Sequence, residues 1–207
     1  MTQGFLPLSP NPNHPECGSS IKVEPIRNKK AIQRIKAHLN YRDRCLFTLG
    51  INTAYRANEL LSIKVNQVMG LQAGDTLEIK QSKTKKHRMV TLNATAAEAL
   101  QTYLSHDEDL LKRLDRGTAD YLFYSRKGNV LTVPTVSTLV KQWCREAGLQ
   151  GNFGSHTLRK TWGYWQYKAG APIPLLMEAF GHATQQQTLA YLCIQAQEVR
   201  ALYELEL

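Results

Sequence analysis

The sequence predicts a mainly α-helical fold carrying one small antiparallel β-sheet, on three observations. Apolar residues recur at helical spacing through most of the longer segments. Strand-like stretches are few, and two of them, Thr76 to Gln81 and Arg88 to Leu92, are neighbours joined by a polar turn, as in a hairpin. No alternating series of strands and helices exists from which a doubly wound sheet could be built. The 207 residues, 43% hydrophobic and 21% charged, suit one domain with a small appendage and provide enough apolar side chains for a core.

The elements follow in order. Five prolines between Pro7 and Pro25 punctuate a start without periodicity, so residues 1–25 read as an extended arm or linker. The body spans 26–195. Its first helix runs from Asn28 to Leu39 and its second from Arg42 to about Asn52, with a further helical turn from Ala57 to Ser62. The hairpin follows, its turn formed by Ser82 to His87. Ala94 to Leu104 is helical, with a helical or irregular continuation to Leu114, and Tyr121 to Tyr124 reads as a short strand. Thr135 to Ala147 is a helix closed by Gly148, and His156 to Ala169 a helix closed by Gly170. Shorter helices cover Pro172 to Phe180 and Thr184 to Leu192. The tail, 196–207, has apolar residues at helical intervals (Ala196, Val199, Leu202, Tyr203) and reads as a terminal helix.

Charge narrows the class of partner. Lysine and arginine number 26 against 17 acidic residues, a formal charge of +9, which favours phosphate-rich partners. Part of the excess lies between Arg27 and Arg44, where seven basic residues meet one acid, Asp43. A second concentration is the hairpin, where Lys80, Lys83, Lys85, Lys86 and Arg88 follow one another with no acidic residue between them. Such a tip reaches toward phosphate better than it packs into a core, so Lys80, Lys85, Lys86 and Arg88 are candidate contacts to a phosphate-rich partner. The apolar runs fall far short of the roughly 20 residues needed to span a bilayer, and no signal peptide precedes the body, so a cytoplasmic protein is expected, without a membrane partner. Cys17, Cys45, Cys144 and Cys193 are scattered and form no C-x-x-C pair. Cys45 and Cys144 sit in apolar helical surroundings and read as core thiols.

The candidate chemistry is spread along the chain. His156 and Arg159 stand three positions apart, on one face of their helix. Gly181-His182 follows the next apolar segment, and nine residues later comes Tyr191. Glycine permits close backbone approach, histidine offers a switchable donor, and a tyrosine hydroxyl can act as an oxygen nucleophile. Each alone is better read as ordinary structure: a local hydrogen bond, a surface ion pair, a half-buried aromatic. Their order changes the reading.

In that order the chain resembles the tyrosine recombinase or integrase family, whose catalytic domain is related to that of type IB topoisomerases. Five elements carry the resemblance. Asn52-Thr-Ala-Tyr-Arg-Ala-Asn-Glu-Leu-Leu61 is similar to the first arginine box and implies Arg56 as an active-site arginine, with Glu59 supporting the site. Gln81-Ser-Lys-Thr-Lys-Lys-His-Arg88 is similar to the hairpin of the mobile catalytic lysine, with Lys83 the preferred match and Lys85 and Lys86 close alternatives. Ser155-His-Thr-Leu-Arg159 matches the H-x-x-R box and Phe180-Gly-His-Ala183 the glycine-histidine box, with Phe180 in place of the more usual leucine. Thr188-Leu-Ala-Tyr191 matches the nucleophile segment.

The resemblance implies a catalytic domain over 26–195 and site-specific DNA recombination. Tyr191 would attack a scissile phosphate to form a 3′-phosphotyrosyl bond and release a 5′-hydroxyl, with Arg56, Arg159 and His182 on the phosphate. His156 would handle protons and Lys83 protonate the departing oxygen. Transesterification of this kind calls for no cofactor and no metal. The implied partners are double-stranded DNA and a homotetramer on two DNA sites, an isolated protomer being monomeric, with an accessory DNA-bending protein as a further expectation. The tail would dock on a neighbouring protomer. Integration, excision and inversion all fit. The alternatives are a catalytic-domain fragment of a longer integrase, a type IB-like relaxing enzyme, and a non-catalytic DNA-binding protein.

Overall fold

A computed structural model describes residues 22–80 and 87–194. Most of the leading arm, the hairpin turn with Lys83, Lys85 and Lys86, and the expected terminal helix from Ala196 to Leu205 lie outside the described residues.

Helix α1 (Lys29–His38) starts at Asn28, whose side chain accepts from the Ala31 amide, and turns Ala31, Ile32 and Ile35 inward. Helix α2 (Tyr41–Thr53) is capped in the same way by Asn40 and is buried along most of its length. It packs against α4 (Ala94–His106) and α7 (Ser155–Lys168). Gly50 permits the α2–α7 crossing, since a Cβ there would lie 2.6 Å from Leu158 Cδ1. Helix α3 (Ala57–Leu61) and a 3-10 turn (Val65–Gln67) lead into the sheet. Strands β1 (Thr76–Lys80) and β2 (His87–Thr91) pair antiparallel, with Leu77 opposite Val90 and Ile79 opposite Arg88.

The continuation after α4, expected to be helical or irregular, forms helix α5 (Glu108–Asp115), capped by Asp107. The expected strand at Tyr121 to Tyr124 is instead two isolated bridges, Lys64 with Tyr121 and Tyr124 with Val130. Leu122 and Phe123 between them are fully buried, which explains their strand-like apolar signal. Helix α6 (Val133–Glu146), capped by Thr132, completes the larger core. Cys45 and Cys144 are buried in it as expected.

A second, smaller apolar cluster gathers Ala54, Leu176, Phe180 and Leu192, with Trp162 and Tyr191 packed against it. It joins α8 (Ile173–Phe180) and α9 (Gln185–Leu192) to α7. Gly163 makes this contact possible: a Cβ at that position would lie 2.3 Å from Phe180 Cζ and 2.7 Å from Leu192 Cδ2. Helix α7 is therefore shared by both clusters, with Leu158 in the larger and Trp162 on the smaller. Residues 22–28 form an extended strap across α7, where the Ile26 amide donates to Thr161 Oγ1 (2.8 Å) and Trp165 Nε1 donates to the Ile26 carbonyl (3.0 Å). Among the described residues no helix is long and apolar enough to cross a membrane.

Candidate active site

The site forms where α2 ends. Ala54 caps α2 in the left-handed region (φ 55°), a conformation that costs a non-glycine residue about 1 kcal/mol or more, and its carbonyl is turned toward the arginines. Tyr55 then plunges into the core and donates to the Leu77 carbonyl (2.8 Å), tying this bend to the sheet. Arg56 stands at the N-cap of α3, and Glu59 folds back to accept from its amide (2.6 Å) and from its Nη1 (3.0 Å).

Arg159 approaches from α7 with its side chain only 3% exposed. It donates from Nη1 to the Ala54 carbonyl and from Nη2 to the Phe180 carbonyl (2.7 Å), which Arg56 Nη2 also approaches (3.4 Å). The final carbonyls of α8 carry the negative end of its dipole and have no helical partners, so they are natural acceptors for guanidinium groups. Arg88, expected among the outward hairpin cations, turns inward and is 14% exposed. It donates to the carbonyls of Ala179 (2.7 Å) and Ala54 (3.1 Å) and lies 3.4 Å from Glu59. Glu59, itself 5% exposed, is thus the carboxylate common to Arg56, Arg88 and, at 3.9 Å, Arg159.

Gly181 closes α8 in the left-handed region (φ 66°) and swings His182 back over the site. His182 stacks on Phe180 and its Nδ1 is 3.0 Å from Thr188 Oγ1, which fixes the ring. Thr184 caps α9, and one helical turn beyond Thr188 comes Tyr191. The tyrosine ring packs edge-on against Phe180 and His182, with centroids 5.1 and 5.0 Å away. Its hydroxyl lies 3.5 Å from His156 Nδ1, the outer limit of a hydrogen bond.

Electrostatics follow from crowding of cations. Desolvation, reinforced by Arg159, Lys160 and Arg56, holds His156 below the ordinary histidine value of 6.5. Desolvation, then Arg159 and Arg56, lowers His182 likewise. Both imidazoles therefore favour the neutral form, and a neutral ring can accept a proton. Burial raises the Tyr191 phenol, while the Arg159 and Arg56 charges oppose that rise. Burial and the neighbouring Arg88 bring Arg159 down to about 10, so it stays charged at neutral pH.

Of the residues singled out in the sequence, Arg56, His156, Arg159, His182 and Tyr191 converge here, and Lys80 ends β1 on the exposed side of the hairpin. Sequence reasoning missed the inward course of Arg88 and the bond from Thr188 to His182. Strand parity carried the first signal: Arg88 and Val90 are half-buried while His87, Met89 and Thr91 are exposed. No sequence signal marked the second.

Comparison with known proteins completes the picture. The profile of the phage integrase family matches residues 27–198. A probable integrase/recombinase of Bacillus subtilis, YoeC, is 31% identical over 186 residues, covering 88% of this chain and 96% of the relative. Tyrosine recombinase XerC of Chlamydia caviae is 27% identical over 85% of this chain, which spans 54% of that protein. Among solved structures, XerA recombinase superposes with a TM-score of 0.69 at 22% identity, covering 92% of this chain and 65% of XerA. XerH site-specific recombinase, in a post-cleavage complex with its palindromic difH substrate, gives 0.68 at 24% identity, covering 90% of this chain and 54% of XerH. The fold is shared with these proteins. Through the profile match and the Bacillus relative, the ordered boxes from Arg56 to Tyr191 acquire their name: the chain belongs to the phage integrase family.

Proposed function

We propose that the chain cleaves and rejoins double-stranded DNA at specific sites, with Tyr191 forming a 3′-phosphotyrosyl bond. The observation that carries this reading is one constellation: a tyrosine hydroxyl 3.5 Å from a neutral-leaning histidine, beside two arginines held by Glu59 and the end of α8. Family membership and the DNA-bound neighbour of the same fold support it.

In the reaction, His156 accepts the proton as Tyr191 attacks phosphorus. Arg56, 41% exposed, and the outer edge of Arg159 take the non-bridging oxygens, where fixed guanidinium donors meet the charge that grows in the transition state. His182 adds a further donor. Lys83 delivers a proton to the departing 5′-oxygen, and Lys80, Lys85 and Lys86 hold DNA from the hairpin, while Arg88, turned inward onto the Ala54 and Ala179 carbonyls, braces the site instead of gripping DNA. A 5′-hydroxyl from the same or another strand then reverses the step, and no phosphate-ester energy is lost to water. Four copies on two DNA sites, aided by a DNA-bending protein, would align the exchanging strands.

The test is to incubate the wild type and Tyr191→Phe with fragmented source DNA, trap covalent adducts with denaturant and sequence the attached ends. Enrichment at defined sites that vanishes in Tyr191→Phe, with DNA binding retained, is the expected result. Adducts at normal abundance in Tyr191→Phe would overturn the assigned nucleophile.

A further inference from the structure

Lys160 follows Arg159 directly but emerges on another face of α7, where it is only 6% exposed. Among the described residues no carboxylate pairs with it, and its amino group donates to Cys193 Sγ at 3.4 Å. The same nitrogen lies 4.8 Å from the centroid of the Tyr191 ring. Withdrawing a lysine from water without a carboxylate partner is costly, so a merely structural filler would be better supplied by an apolar side chain.

A second cation reaches the same turn from a different element. Arg27, on the strap, donates to the Cys193 carbonyl at 2.5 Å while its guanidinium rests 5.1 Å over the Tyr164 ring. Cys193 ends α9 in the left-handed region (φ 56°), a conformation that an unsupported cysteine does not favour. Its sulfur lies 3.6 Å from the Val23 carbonyl, again on the strap. The residue two places after Tyr191 is thus gripped from α7 on one side and from residues 23–27 on the other.

We propose that Lys160 is a further positioning residue for strand cleavage: with Arg27 it clamps the turn after Tyr191, and from the face of the tyrosine ring it holds the phenol oxygen in line with the phosphate. The proposal rests on Tyr191 being the nucleophile. A cation on the ring face is attracted to the π-system, and more strongly as negative charge builds on the phenol. A neutral side chain of equal length keeps the volume and loses the hold.

The experiment is single-turnover cleavage by the full chain, at saturating DNA, of a site recovered by adduct mapping. A 5′-bridging sulfur as leaving group removes the need for a general acid, so the nucleophilic step is read directly. Lys160→Met is expected to slow cleavage by roughly 10²-fold, the scale of an ångström-sized misplacement, with Kd for DNA and thermal midpoint unchanged. Lys160→Arg is expected to restore most of the rate, and Arg27→Gln to slow it in the same direction. Cleavage at the wild-type rate by Lys160→Met overturns the proposal. Equal loss in Lys160→Met and Lys160→Arg, tracking a lowered thermal midpoint, overturns it too. Should Lys160→Met fail to fold, full-rate cleavage by Arg27→Gln does the same. If wild-type protein forms no adduct at all, the nucleophile reading itself fails, a result distinct from these.

Discussion

Glu59 and Arg88 show how single side chains set the charge of this site. A buried carboxylate beside three arginines anchors the guanidinium groups without neutralising them all, so net positive charge remains for a phosphate. Arg88 spans two helix-terminal carbonyls and Glu59 together, a task that needs a planar fork. Lys80, at the exposed end of β1, has no such role. Arg88→Lys should therefore reduce single-turnover cleavage by about 10-fold or more with little change in DNA affinity, as measured by rapid quench beside a binding titration. Lys80→Ala should weaken binding evenly across sequences and lower the salt slope by about one contact, leaving the cleavage rate on bound DNA intact. Cleavage defects in the opposite ranking would return Arg88 to the outer face of the hairpin.

At the scale of elements, the decisive contact is α8 and α9 lying on α7 through Gly163. Helical periodicity located all three helices to within a few residues, because their apolar faces and their end signals, Gly170 just past the Ala169 cap, Gly181 and Thr184, are local features. What periodicity could not show is that Gly163 stands beneath Phe180 and Leu192, since the clash a side chain would make there lies between segments distant in sequence. Gly163→Ala should destabilise the fold by about 1–3 kcal/mol through overpacking, and should slow cleavage more than Gly148→Ala, where nothing lies within 4 Å of the added carbon and the cost, about 1 kcal/mol, comes from the left-handed backbone (φ 73°) alone. Chemical denaturation and adduct formation measure the two effects. Tyr121 to Tyr124 shows the converse: the segment pairs as a strand does, the Leu122 amide donating to the Ile63 carbonyl and the Leu131 amide to that of Phe123, but with a different partner at each end and for too few residues to make a continuous strand.

For the whole molecule, the clustering of cations makes stability depend on pH. His156 and His182 both sit below 6.5 in the folded chain, whereas the unfolded chain protonates them at that ordinary value. Between the two values the unfolded state binds more protons, so stability is full above 6.5 and is lost as pH falls through the lowered folded values. The thermal midpoint should drop between about pH 7.5 and about pH 5.5, and less steeply in a His156→Gln, His182→Gln double variant. An unchanged slope in that variant would show that other groups carry the acid sensitivity. The mainly helical class, the hairpin, the basic balance and the identity of the residues that meet at the site are all legible from residue order, because periodicity, caps and ordered boxes are written in neighbouring positions. That Arg88 faces inward, that Thr188 fixes His182 and that Lys160 and Arg27 grip the turn after Tyr191 emerges once the helices are packed. Those contacts join residues up to 166 positions apart, and their energies depend on burial and distance, which no local pattern encodes.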